Sequence, residues 1–176
     1  VGTHSGYSYF LTIALVFVFS CLILADKQIN PFSINRPVRQ KRSSVSRYMA
    51  LTGVKCAAIH TAIYAGVQIV CTYIYVDNDI MSEKGFMKVM PLYALALFTI
   101  FTVSIMFYLV LYVFTGISYL AIFITVAINI GIAYFVRGDF LYGGITVLDY
   151  MAMGEPVNIT VFLIYQMINI CIAAVL

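Results

Sequence analysis

Residues 92–114 read LYALALFTIFTVSIMFYLVLYVF, 23 consecutive residues without a charge. As an α-helix they extend about 35 Å at 1.5 Å per residue, enough to cross the roughly 30 Å hydrocarbon layer of a bilayer. A helix that is apolar on all sides belongs either in a protein core or in lipid. The rest of the chain decides between them. Four further apolar runs occupy 9–25, 56–76, 119–136 and 157–176. Of the 176 residues, 63% are hydrophobic and 10% are charged, against about 25% charged in an ordinary soluble domain. One soluble core of this size does not need so much apolar material, whereas a bilayer accepts it around every helix. The expected fold is an all-α polytopic helical membrane bundle of about five spans, forming a single transmembrane domain over 1–176.

The run 9–25 lacks the basic start and small-residue exit of a cleavable signal peptide, so it reads as a span. The chain begins at Val1 rather than Met and stops at Leu176 inside an apolar run. A fragment of a longer protein, with room for a further span at either end, is therefore expected. Pro91 suits the first position of the third helix, where a missing N–H costs nothing. Thr115, Gly116, Ile117 and Ser118 make a tight hairpin with Ser118 as N-cap, and Pro156 and Asn158 open the fifth run.

Charge placement sets the expected orientation. Lys27, Arg36, Arg39, Lys41, Arg42, Arg47 and Lys55 place seven of the ten Lys and Arg residues in the connection 27–55. By the positive-inside rule that basic loop is cytoplasmic. The loop after the second run is mixed (Asp77, Asp79, Glu83, Lys84, Lys88), and 137–156 is slightly acidic. Both then lie outside, and the amino end is outside. The outer loop 137–156 also carries Phe140, Leu141, Tyr142, Leu148 and Tyr150, so an interfacial helix, a re-entrant piece or a packed lid is expected there.

Pro31 and Pro37 break helix and bias the preceding residues towards extended backbone. After Pro37 a helix can run without interruption into the second span. Its cations suit two compatible roles: contact with anionic lipid heads at about 1 kcal/mol per charge, and docking of a cytoplasmic protein through Arg36, Arg39, Lys41, Arg42 and Arg47.

The second span is the most polar. Ala58, Ala62 and Gly66 form a small-residue stripe that lets another helix approach closely. His60, Tyr64 and Gln68 form an adjacent polar stripe. Polar side chains at membrane depth face the bundle interior or a wet cavity. Together with Asn129, Gln166 and Asn169 they read either as interhelical hydrogen bonds or as the lining of a substrate path.

A span, a cytoplasmic stretch Asn30-Pro31-Phe32-x-Ile34-x-Arg36-x4-Lys41-Arg42, and a polar-start span together resemble the transmembrane permease subunits of type-2 ATP-binding-cassette exporters. The nearest likeness is to the small bacterial kind associated with peptide or bacteriocin export and immunity. The layout covers most of the chain, whereas the residue-level likeness is confined to 30–47. The resemblance implies a bacterial cytoplasmic membrane protein and an oligomer of membrane subunits. It also implies a coupling segment whose Arg36, Arg39 and Arg42 meet a separate nucleotide-binding ATPase holding ATP and Mg. ATP-driven closure of that partner would push on the loop and tilt the second span. Such permeases usually have six spans, one more than is read here. The chain has no Gly-x4-Gly-Lys-Ser/Thr, so the ATPase would be the partner. The alternative is a non-transporting membrane scaffold or accessory subunit.

No catalytic site, cofactor, metal site or nucleic-acid partner is expected in this chain. His60 and Cys71 lie about 16 Å apart on one helix, too far for a nucleophile pair. Cys56 and His60 can touch at i and i+4, but nothing nearby in sequence orients them. No Asp or Glu falls inside the five runs, which argues against aspartyl intramembrane proteases and against carriers built on buried carboxylates. All four cysteines (Cys21, Cys56, Cys71, Cys171) sit in apolar runs as small hydrophobes. Met81, Met87 and Met90 read as adaptable apolar contacts, and the sequon at Asn158 reads as chance.

Overall fold

The computed structural model describes residues 16–29, 42–75, 86–135 and 159–176. The described chain is all-helical, with five helices: α1 (16–29), α2 (Arg42–Tyr75), α3 (Phe86–Thr115), α4 (Ser118–Phe135) and α5 (Ile159–Val175). Two helices are long and apolar enough to cross a membrane, over Ser44–Tyr75 and Met90–Thr115, while α4 and α5 are shorter apolar helices. The segment 137–156, expected on the outside, lies outside the described residues, as do Arg36, Arg39 and Lys41.

Several boundaries differ from the sequence expectation. α1 runs four residues beyond Ala25, so Asp26 and Lys27 are helical rather than the start of a loop. α2 begins at Arg42 and continues unbroken for 34 residues, which turns the second half of the expected loop 27–55 into helix. α3 begins at Phe86, leaving Pro91 inside the helix instead of at its first position. A proline there forfeits one i to i−4 hydrogen bond. The hairpin between α3 and α4 is present. Gly116 adopts φ 68° and donates its N–H to the Tyr112 carbonyl at 2.9 Å, an αL cap that favours glycine. The Ile117 carbonyl accepts the first α4 bond, from Ala121 at 3.1 Å. Ile117 therefore holds the N-cap position expected of Ser118.

α3 is the central helix and packs against α2, α4 and α5. Leu97, Ile100, Phe101, Ile105 and Tyr108 of α3 are fully buried. They meet Leu22 from α1, Ala57 from α2, Ala121 from α4 and Phe162 from α5 within one apolar cluster. α2 and α3 run antiparallel, because Tyr64 stacks on Tyr93 (centroids 6.2 Å) while Gly53 sits against Ile105. A Cβ built on Gly53 would lie 2.6 Å from Ile105 Cγ2, so glycine is what lets these helices approach at that point. Much of the outer surface of the described helices is apolar: Ile63, Val70 and Ile74 of α2, Phe123 of α4 and Ile164 of α5 are all more than half exposed.

Candidate functional site

Polar side chains join several pairs of the described helices, and three of these contacts centre on α3. On α3, the Thr99 hydroxyl donates to Gln166 Oε1 of α5 at 2.6 Å, and Asn169 Nδ2 donates to Thr99 Oγ1 at 3.5 Å. One turn and a half further on, the Ser104 hydroxyl donates to Asn129 Oδ1 of α4 at 3.0 Å, while Asn129 Nδ2 donates to the Thr125 carbonyl at 2.9 Å. All of Thr99, Ser104, Asn129, Gln166 and Asn169 are buried. At the end of α1, Tyr108 of α3 donates its hydroxyl to Asp26 Oδ1 at 2.7 Å. Tyr108 is fully buried and stacks on Tyr112 with centroids 5.9 Å apart.

The fourth polar contact joins α1 to α2. Ser20 Oγ lies 2.9 Å from His60 Nε2, and the same hydroxyl donates to the Phe17 carbonyl at 3.0 Å. Which of the two donates is set by the imidazole tautomer, since Ser20 has one proton to share between His60 and the carbonyl. His60 Nδ1 is buried without a partner. The edges of Phe17 and Phe101 flank the ring, with centroids 6.5 and 6.2 Å from it. Cys56, one turn earlier, is buried in the apolar cluster. His60 thus joins α2 to α1 through Ser20.

The residues expected to line a path or pack helices therefore separate. Asn129, Gln166 and Asn169 are brought into interhelical bonds. His60 and Tyr64 turn towards α1 and α3, Tyr64 being buried with its ring 4.7 Å from Phe17. Gln68 is half-buried near the far end of α2. Of the cations expected to dock a partner, Arg42 begins α2 and Arg47 is exposed on it. Among the described helices the small-residue stripe meets no neighbour: Ala58, Ala62 and Gly66 are exposed, and a Cβ at Gly66 would touch nothing within 4 Å. The close approach falls at Gly53 instead.

Sequence reading missed Thr99, Ser104, Ser20 and the Asp26–Tyr108 pair. A serine or threonine in an apolar helix carries little signal because it can bond its own preceding turn, as Thr99 and Ser104 also do with Ala96 and Ile100. Asp26 falls between the apolar run 9–25 and the connection 27–55, so neither reading takes it up. Comparison with protein-family models, with curated proteins and with solved structures gives no match.

Proposed function

We propose that this chain is a polytopic membrane subunit of an ATP-driven exporter, coupled to a separate ATPase through its basic connector. The observation that carries the reading is α2, a single 34-residue helix beginning in the cationic segment at Arg42 and ending at Tyr75. An unbroken helix about 50 Å long transmits a displacement of one end to the other. The bare Ile, Val and Phe side chains around the described helices support a lipid surround, since soluble monomers rarely expose contiguous apolar patches beyond a few hundred Å². The spans would be the five helices, and the substrate an amphipathic or hydrophobic compound such as a peptide. Two copies or a second membrane subunit would complete a path.

A second reading, a non-transporting scaffold or accessory subunit, is favoured by one observation. Thr99–Gln166, Ser104–Asn129 and Asn169–Thr99 hold α3 to α4 and α5 by buried bonds, the arrangement of polar residues used as glue between membrane helices.

The experiment that separates the readings is copurification from native membranes with an ATPase carrying a Walker-A sequence. Under the exporter reading, joint charge reversal of Arg36, Arg39 and Arg42 abolishes association while the protein still inserts. Association that survives the reversal removes the docking role of these cations, and the absence of such an ATPase leaves the scaffold reading in its place.

A further inference from the structure

Two sides of the bundle present opposite chemistry at the same depth. The contact of Gly53 with Ile105 fixes the level of α2 against α3, and the Ser104–Asn129 bond fixes that of α4. Taking the hairpin at Thr115 and Ser118 as zero, Ile105 and Gly53 stand about 15 Å above it at 1.5 Å per residue. On that scale Lys55 lies at about 18 Å and Arg47 at about 6 Å, on the antiparallel α2. Ile130 and Phe123 of α4 lie at about 18 and 8 Å. Arg47 and Lys55 are exposed on α2. Phe123 is 72% exposed and Ile130 is 40% exposed on α4.

A bilayer cannot suit both sides equally. Charged groups at membrane depth face protein, water or a partner charge, whereas bare phenylalanine and isoleucine suit lipid. α1 brings Asp26 and Lys27 to a similar level; Asp26 has its partner in Tyr108, and Lys27 is exposed beside it. Tilting the bundle to raise the α2 cations out of hydrocarbon would lower the aromatic side of α4 deeper into it, which the two sides accommodate together only if their surroundings differ.

We infer that the Arg47–Lys55 side of α2 faces a water-filled, anion-attracting cleft, while α4 faces lipid, and that the transported or bound compound carries an anionic group. This rests on the reading of the helices as a membrane bundle. The two cations are eight residues apart, about 12 Å along the helix, with the exposed Leu51 between them, and lead from the connector end towards the middle of the bundle. Positive charge on a low-dielectric wall concentrates anions at its surface. The anionic group is a carboxylate or phosphate, borne either by a lipid headgroup or by a soluble compound.

The test introduces single cysteines, Lys55→Cys and Ile130→Cys, after replacing the exposed Cys71 and Cys171 by alanine. The protein is held in zwitterionic nanodiscs, and the unmodified background gives the baseline. Membrane-impermeant thiosulfonates of either charge are compared, each rate divided by its rate with a free small thiol. Lys55→Cys reacts, with the anionic reagent favoured about tenfold, and Arg47→Gln reduces that preference; Ile130→Cys does not react. Protection on adding phosphatidylglycerol assigns the cleft to lipid headgroups, and protection by inorganic phosphate assigns it to soluble anions. Equal normalised rates for the two reagents overturn the anion attraction. A Lys55→Cys as inert as Ile130→Cys overturns the cleft and leaves the membrane reading intact. Rapid reaction at Ile130→Cys as well overturns the membrane reading itself. Arg47→Cys supplies a second position should Lys55→Cys not accumulate.

Discussion

Thr99 has one hydroxyl proton and two acceptors within reach, the Ala96 carbonyl at 2.9 Å and Gln166 Oε1 at 2.6 Å. In this arrangement Gln166 Nε2 is buried without a partner. Turning the amide over would let Nε2 donate to Thr99 Oγ1 and free the hydroxyl proton for Ala96, satisfying both groups. Either orientation makes Thr99 the hub between α3 and α5. Thr99→Val should destabilise the protein by about 1–2 kcal/mol, because Gln166 is left buried beside a methyl group. Gln166→Leu on top of Thr99→Val should cost less than it does alone, since the stranded amide is then gone. Unfolding titrations of the two single variants and the double variant in mixed micelles measure the coupling, and strict additivity would contradict a direct bond. Asn129, Gln166 and Asn169 were legible in the sequence because an amide inside an apolar run has to be satisfied somewhere. Their partners were not legible, because the hydroxyls of Thr99 and Ser104 already bond their own helix and only the fold shows that they also reach across.

Among the elements, α2 carries most of the account, and its continuity followed from the absence of any helix breaker after Pro37. Its packing did not. The stripe of Ala58, Ala62 and Gly66 looks like the place where helices approach, yet the approach occurs at Gly53, where Ile105 fills the space a side chain would take. Four-residue spacing marks a smooth face; it does not say which neighbour uses it. Gly53→Ala and Gly66→Ala should therefore diverge. The first forces Ile105 or the backbone to shift, with overpacking costing about 1–3 kcal/mol. The second meets open space and gains up to about 1 kcal/mol of helix propensity. Comparing both variants by thermal unfolding in one detergent tests this, and equal effects would refute the assigned crossing point. The extension of α1 past Ala25 was hidden for a related reason. Asp26, Lys27 and Gln28 look like a loop until Tyr108 is known to meet Asp26 across 82 positions of sequence.

At the scale of the molecule, the all-helical class was legible because charge is scarce and apolar runs recur. Two of the helices have the length and apolarity to cross a bilayer, and the proposal extends that to a five-span subunit. Packing then explains what composition could not: a central α3 takes up the buried face of each neighbour, and the outward faces stay apolar on α4 and α5 but become cationic along part of α2. That asymmetry is the physical basis for assigning lipid to one side and a polar cleft to the other. It also makes α2 the helix whose orientation matters most, since it joins the cationic connector to the opposite end of the bundle.

The most direct measurement is the sidedness of the two ends of α2. Ser44 and Tyr75 are both exposed, and 31 residues separate them, about 46 Å along the helix. Ser44→Cys and Tyr75→Cys, each in a background lacking Cys71 and Cys171, can be challenged with an impermeant maleimide on intact cells and again after permeabilisation. The account predicts labelling of Tyr75→Cys on intact cells and of Ser44→Cys only once the membrane is opened. Labelling of both from the same side would contradict it.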